Sequence, residues 1–222
     1  MTHTTALIAG ATGLVGGHLL TRLLASPHHK RVIALTRKPL VLTHKKLTNL
    51  VVDFDNLEED VARENFSVDE AYCALGTTIK KAGSQAAFRL VDYEYETAFA
   101  RAAQKAGATR FALVSSVGAN AKSSIFYTRV KGETENAIRE IGFSTLHIFQ
   151  PGVLLGTRGE ARPAEQLVIG LTPLLNLCLQ GPIRKYRGIA AETVARSMVA
   201  AMGTDATSAT HRYAEMIAMA AA

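Results

Sequence analysis

Tyr127 and Lys131 stand four positions apart in the segment YTRVK, and an apolar run upstream ends in Ser115-Ser116. On a helix, side chains four apart are stacked neighbours, so the phenol and the ammonium share one face. Of the six tyrosines, only Tyr127 has lysine at the fourth following position. A hydroxyl, a phenol and an ammonium that converge suit the reduction of a carbonyl. Hydride addition leaves negative charge on the oxygen, and a positioned acid must supply the proton. A phenol is a weak acid at neutral pH, but an adjacent ammonium favours its ionised form. The catalytic set is therefore expected at Ser116, Tyr127 and Lys131, with Ser115 the alternative hydroxyl. Taken singly, each has an ordinary explanation: a strand-end turn residue, a half-buried helix residue and a solvated charge.

A hydride needs a carrier, and GATGLVG at residues 10–16 offers a place to bind one. Gly10 permits a tight turn, Gly13 lets the backbone approach a pyrophosphate, and Gly16 allows a helix to pack closely on a strand. Thr12, Leu14 and Val15 belong to the same junction, where free N–H groups and the positive end of a helix dipole meet an anion. The loop follows an apolar run and precedes a helical pattern, the context that gives such glycines meaning. At the end of the second run, ALTRKP carries Arg37 and Lys38 and no acid. An Asp or Glu there would bind the ribose hydroxyls of NAD, whereas Arg37 can chelate a 2′-phosphate through charge-assisted hydrogen bonds. NADP(H) is thus the expected cofactor, and no metal is expected.

Asp53 and Phe54 follow the third run, where a doubly wound sheet places an adenine. Asp53 would accept from the adenine amino group or serve as a plain turn carboxylate. Leu75, Gly76 and Thr77, after the fourth run, would lie beside the glycine loop and leave room for a ribose. Ser115 falls on the same edge, and Lys131 would reach the nicotinamide ribose hydroxyls.

The elements that must position these groups alternate along the chain. TALIAG (5–10), RVIALT (31–36), LVVDF (50–54), EAYCALG (70–76), RFALVSS (110–116) and STLHIFQ (144–150) read as strands, mostly continuous apolar runs suited to burial on both faces. Helical patterns lie between them: LVGGHLLTRLLAS stops before Pro27, while the segments beginning at Phe88 and Ile125 stop at Gly107 and Gly142. This alternation predicts α/β architecture, a doubly wound parallel sheet (Rossmann fold) with a small C-terminal cap. One domain over 1–222 is expected, with residues 153–190 as a substrate-side cap. TPLLNLCL, then ETVARSMVAAM as a helix and HRYAEMI as a possible last strand, look like a small cap over the strand ends.

Composition narrows the class. Apolar residues make up 48% and charged residues 20% of 222, which is globular. The net charge of +6 is spread without a basic block, so nucleic acid is not an expected partner. No membrane segment is expected: the most apolar stretch, LVIGLTPLLNLCL (167–179), is short and interrupted by Pro173 and Asn176, and reads as a buried helix pair. The amino terminus lacks a signal-peptide pattern, and Cys73 and Cys178 form no framework, so a reduced, cytoplasmic protein is expected. A homodimer or a protein partner stays open.

The set GATGLVG, ALGTT, VSSVGA, YTRVK and QPGVLLG resembles the short-chain dehydrogenase/reductase superfamily in its extended or atypical branch. YCALGTTIKKAG, RLVDYEY and PGVLLGTRGEARPAEQL further resemble the Tat-interacting-protein oxidoreductase group of NADP-binding proteins, over roughly residues 5–200. The resemblance implies a Rossmann fold, NADPH, and a Ser, Tyr, Lys triad at Ser116 (or Ser115), Tyr127 and Lys131. It also implies that Pro151-Gly152 lines the nicotinamide pocket. Gln150 departs from the Arg found before that Pro-Gly in relatives, and the portion after Pro151 is short beside that of sugar-nucleotide epimerases. Two functions fit: an NADP(H)-dependent oxidoreductase acting on a small carbonyl or hydroxyl compound, and an NADPH-binding regulatory protein with little turnover.

Overall fold

The computed structural model describes residues 4–156, 181–204 and 207–221. LVIGLTPLLNLCL, Cys178 and residues 157–180 of the expected cap lie outside these.

Seven strands form one sheet in the order β3-β2-β1-β4-β5-β6-β9, and every pairing is parallel. They are β1 (Thr4–Ala9), β2 (His29–Thr36), β3 (Leu47–Val51), β4 (Glu70–Cys73), β5 (Arg110–Val114), β6 (Thr145–Phe149) and β9 (Ala209–His211). Between β6 and β9 in the chain, β7 (Leu154–Leu155) and β8 (Ile189–Ala190) pair with each other. Alternate residues of a strand face opposite sides, and β1 shows what that demands. Ala6 and Ile8 pack in one apolar layer, with α1 (Leu14–Ala25), α7 (Ala191–Met202) and α8 (Tyr213–Ala221). Leu7 and Ala9 pack in the other, with α2 (Leu57–Arg63), α5 (Glu96–Lys105) and α6 (Phe126–Ile141). This is the doubly wound sheet that the alternation requires.

Helix ends obey the sequence. Ser26 ends α1 in extended backbone before Pro27, Gly107 follows α5 at φ +102, and Gly142 caps α6 at φ +82. β1, β3, β4, β5 and β6 stop one to three residues before their apolar runs do, while β2 ends with its run at Thr36. β3 ends at Val51, and Phe54–Asn56 form a 3-10 turn that Asp53 caps. Two expectations are corrected. HRYAEMI contributes only its first residue to β9, and from Tyr213 the chain is helical, since Met216 and Ala220 bury one helical face. The helix α7 is no cap: it packs along α1 as part of the layer. Among the described residues no helix is long and apolar enough to cross a membrane.

The segment between β4 and α5 is irregular. After α3 (Ile79–Ala82) and α4 (Gln85–Arg89), Leu90–Tyr95 form a π-helical turn that runs straight into α5.

Candidate functional site

The glycine loop is built by two close approaches. Gly10 adopts φ +85, and a Cβ there would fall 2.3 Å from the Ala74 carbonyl oxygen, so only glycine lets β1 and β4 leave the sheet side by side. A Cβ on Gly16 would fall 2.0 Å from the Gly10 oxygen, which fixes α1 hard against the turn. At Gly13 the helix begins with no side-chain cap and no acid in its first turn. Its leading N–H groups are therefore open to an anion. Leu14 and Val15 offer only backbone: Val15 is buried in the layer under α1, and Leu14 packs toward Gly156.

A cleft of about 460 Å³ opens beside this loop. Gly10, Thr12 and Gly13 line it from β1, Thr36, Arg37 and Phe54 from the β2–β3 side, and Leu75, Gly76 and Thr77 from the end of β4. The sequence reading missed its outer wall, Lys81, Leu90, Val91 and Tyr95, which comes from the irregular segment. Tyr95 donates its hydroxyl to Asp55 Oδ1 at 2.6 Å and sets its ring 5.5 Å from that of Phe54. Burial and the Asp55 carboxylate push its phenol up to about 12.

Two expected cofactor residues stand aside. Lys38 is exposed and does not line the cleft. Asp53 takes the turn alternative: its oxygens accept from the Asp55 N–H at 3.0 Å and the Asn56 amide at 3.1 Å. These interactions shape the turn that presents Phe54.

The catalytic candidates come from the loop after β5 and from α6. The loop after β5 is clamped to α6: Asn120 N–H donates to the Thr128 carbonyl at 2.9 Å, and Arg129 donates to the Ser123 carbonyl at 3.0 Å. Gly132 permits this contact, since a Cβ there would lie 2.1 Å from Ala121 N. Tyr127 is half-buried, its ring 5.3 Å from that of Phe88, a neighbour in α4 of the cleft residue Ala87. Val117 N–H donates to the Pro151 carbonyl at 2.9 Å, which ties Pro151-Gly152 to the Ser116 loop. Gly152 lies against the backbone of Tyr186 and Arg187. Neither Pro151 nor Gly152, nor any of Ser116, Tyr127 and Lys131, lines the 460 Å³ cleft itself.

The two serines differ. Ser115 is buried and donates to Glu135 Oε1 at 2.5 Å, an oxygen that also accepts from the Gln150 amide at 2.8 Å. Arg139 binds the other oxygen of Glu135 at 3.1 Å. Gln150 is thus spent on a buried structural carboxylate. Ser116 is half-buried, and among the described residues its hydroxyl makes no hydrogen bond, which leaves it the accessible one.

Lys131 departs from expectation. It is neither solvated nor free: it is buried, with Nζ 2.7 Å from Asp92 Oδ1 and 2.8 Å from Glu96 Oε1. Asp92 Oδ2 in turn accepts from the Thr77 N–H at 2.8 Å, so the trio joins the cleft wall. A Cβ on Gly76 would meet Asp92 Oδ1 at 3.4 Å and Lys131 Nζ at 3.8 Å. Burial alone would lower the lysine, but Glu96 and Asp92 more than offset it and hold the ammonium charged. Glu96 is pushed up to about 8, first by burial and then by the negative charge of Asp92, against the pull of Lys131. The ammonium is thus flanked by two carboxylates, hydrogen-bonded to Glu96 and ion-paired with Asp92.

Comparison with known proteins agrees with this geometry. A family model described as NAD(P)H-binding matches residues 10–165. Protein HTATIP2 of Rattus norvegicus is 38% identical over 170 residues, covering 75% of this chain and 69% of its own. The mitochondrial protein fmp52 of Emericella nidulans is 36% identical over 163 residues, covering 71% of this chain and 70% of its own. Among solved structures, MoeE5 in complex with UDP-glucose and NAD superposes with a TM-score of 0.68 at 16% identity, over 98% of this chain and 81% of that one, a likeness of fold. The oxidoreductase ylbE from Lactococcus lactis gives 0.56 at 25% identity over 71% of this chain and 72% of that one. An uncapped helix behind a glycine turn, an apolar and cationic cleft at the carboxyl ends of parallel strands, and the relatives just described lead to one statement: the chain belongs to the NAD(P)H-binding family.

Proposed function

We propose that the protein is an NADP(H)-dependent oxidoreductase of the atypical short-chain dehydrogenase/reductase type, acting on a small carbonyl or hydroxyl compound. The carrying observation is that Tyr127 packs against Phe88 beside the cleft residue Ala87, that the loop bearing Ser116 is hydrogen-bonded to the helix of Tyr127, and that Lys131 reaches the cleft's wall through Asp92 and Thr77. Arg37 in the cleft, with no acid at the end of β2, supports NADP(H) over NAD(H). The bound nicotinamide would supply or accept the hydride. Ser116 orients the carbonyl oxygen, and Tyr127 delivers a proton to it. Lys131, held in place by Asp92 and Glu96, keeps its ammonium charged in the wall beside Thr77. The cysteine pattern supports the cytoplasm as location. Because the fungal relatives are called mitochondrial, organelle fractionation is the check.

The engaged ammonium of Lys131 favours a second reading, an NADPH-binding regulatory protein with little turnover. The deciding experiment follows NADPH oxidation over a panel of small aldehydes and ketones with the wild type and Tyr127→Phe. The oxidoreductase reading expects wild-type turnover that Tyr127→Phe abolishes while still binding NADPH. Binding without turnover on the whole panel would favour the regulatory reading, and a Phe variant as fast as wild type would remove Tyr127 from the mechanism.

A further inference from the structure

Asp53 is the first acid of the chain, and seven Lys and Arg stand before it. They come singly or in pairs, so no block marks them, yet no carboxylate is interleaved. The net charge of +6 thus originates in β1, α1, β2, β3 and their connections, and the remainder of the chain is nearly balanced. Among the described residues, only Arg22 of the seven forms an ion pair, with Glu192. On α5 and α6, by contrast, Arg101, Lys105 and Arg139 each meet a carboxylate. Lys30, Arg31, Lys38 and Lys45 are exposed, on the side of the sheet that ends in the edge strand β3.

An apolar tip stands among these cations, on the crossover that returns from Thr36 to Leu47. Both of its ends are pinned. Leu40 packs against the apolar layer that holds α1 and donates its N–H to Asn49 Oδ1 at 2.7 Å. Asn49 in turn donates to the Thr36 hydroxyl at 2.7 Å. At the other end, Lys46 Nζ donates to the Ser26 carbonyl at 2.7 Å. The Lys46 carbonyl accepts from the Val32 N–H at 2.8 Å, which seats Lys46 beside Arg31. Residues 41–45 between these anchors are all exposed, Val41 by 99% and Leu42 by 47%. Lys38 stands three positions before Val41 and Lys45 three positions after Leu42, so charge brackets the aliphatic pair.

We infer that Val41 and Leu42 enter the interfacial layer of an anionic lipid bilayer, to which the surrounding lysines and arginines hold the protein. A pinned tip leaves two aliphatic side chains in water, ringed by cations without carboxylate partners. Such a surface meets both demands of that bilayer, hydrocarbon to enter and negative charge to approach. Other occupants match less of it. A second copy would bring the same unpaired charges against these. A nucleic acid would use the lysines, but the tip has no aromatic ring to stack on a base, and phosphate gives valine and leucine nothing. An acidic peptide offers the charge without the hydrocarbon depth. Lys38, Val41, Leu42 and Lys45 all lie off the glycine-loop cleft, so the surface stands whether or not a dinucleotide binds there.

The test is cosedimentation with vesicles of phosphatidylcholine alone and of phosphatidylcholine with about one quarter phosphatidylserine. The wild type should bind the anionic vesicles, release them as salt rises, and ignore the neutral ones. Lys38→Gln combined with Lys45→Gln should weaken binding by about 25-fold, at about fivefold per lysine. The control pair, Lys80→Gln with Lys122→Gln, removes equal charge from exposed positions elsewhere and should match wild type. Val41→Asp should abolish binding. The chain has no tryptophan, so Val41→Trp places a single fluorophore on the tip, and its emission should shift to the blue on anionic vesicles alone. A wild type that ignores anionic vesicles, or tip variants that bind them as well as wild type, would overturn the proposal. Binding without the blue shift would mean adsorption by charge alone and overturn the insertion. Binding of duplex DNA or polyglutamate in place of vesicles would overturn it too, giving the surface to nucleic acid or to an acidic protein. Val41 makes almost no contact with the rest of the protein, so circular dichroism should show the variants folded.

Discussion

Lys131 and Glu96 meet at 2.8 Å across the contact of α6 with α5, both buried, while Asp92 Oδ1 lies 2.7 Å from the same ammonium as an ion pair. One cation answers two carboxylates. The trio would carry a net negative charge in a water-poor place, so Glu96 tends to keep its proton.

Removing the cation should therefore cost more than removing one acid. Lys131→Met leaves Asp92 and Glu96 without their counter-charge and is expected to lower folding stability by about 3–5 kcal/mol, as for other buried pairs stripped of one partner. Glu96→Gln should cost far less, and combining it with Lys131→Met should recover part of the loss. Urea denaturation of the three variants reads this directly. A Lys131→Met protein with an unchanged midpoint would mean that the trio is not formed.

Glu96 also predicts a pH dependence. Its ordinary value is 4.5 and its folded value about 8. Between these, the folded protein holds a proton that the unfolded chain has released, so this group's contribution declines as pH rises through that window. Glu96→Gln should flatten that decline when stability is measured from pH 5 to 8.5. A decline of equal slope in the variant would assign it to another group.

The pair His147 and His211 works in the opposite sense. Nδ1 of His147 lies 2.9 Å from Nε2 of His211 where β6 pairs with the edge strand β9. Burial first, then the His211 ring and Arg110, pull His147 down to about 4, and burial lowers His211 too, although Glu215 acts to raise it. A histidine kept neutral stabilises the fold above its unfolded value near 6.5, and that contribution is lost as pH falls toward 4. His147→Leu should blunt acid unfolding over this range, and hydrogen exchange should show protection lost first at β9. Acid sensitivity identical to wild type would contradict it.

Gly132→Ala tests the clamp on α6. Its methyl would overlap the backbone of Asn120 and Ala121, which cannot yield as a flexible side chain would. Overpacking of this kind costs about 1–3 kcal/mol. The helix must also lift from the loop that carries Ser116, so any turnover should fall more than NADPH binding does. Equal stability and activity in the variant would show that the loop stands clear of the helix.

Much of this was legible from the residues. The doubly wound sheet follows from apolar runs alternating with helical patterns, and Gly10, Gly13 and Gly16 announce a backbone approach that no other residue allows. Arg37 was legible because its position at the end of β2 is fixed by spacing. Contacts between distant segments were not. Lys131 finds Glu96 across 35 positions, and Ser115 finds Glu135 only when α6 lies on the sheet. Before folding, a lysine four residues from a tyrosine looks the same whether its far end meets water or acids. Lys81 and Tyr95 escaped notice because the segment that bears them has no regular period. The last helix was misread because a short run of alternating polar and apolar residues fits both periods until Met216 and Ala220 bury one face.

The π-helical turn at Leu90–Tyr95 sets a phase. It holds one residue more than an α-helical turn would, and the Asp92 carbonyl accepts from the Thr134 hydroxyl of α6 at 2.6 Å. Deleting that surplus residue would swing α4 by about 100° about its axis relative to α5. Phe88 and the outer wall would then point elsewhere while Glu96 stayed put. The alignment of the glycine-loop cleft with the helix that bears Tyr127 and Lys131 thus hangs on a single peptide unit, and a one-codon insertion or deletion there would uncouple the two without disturbing a strand.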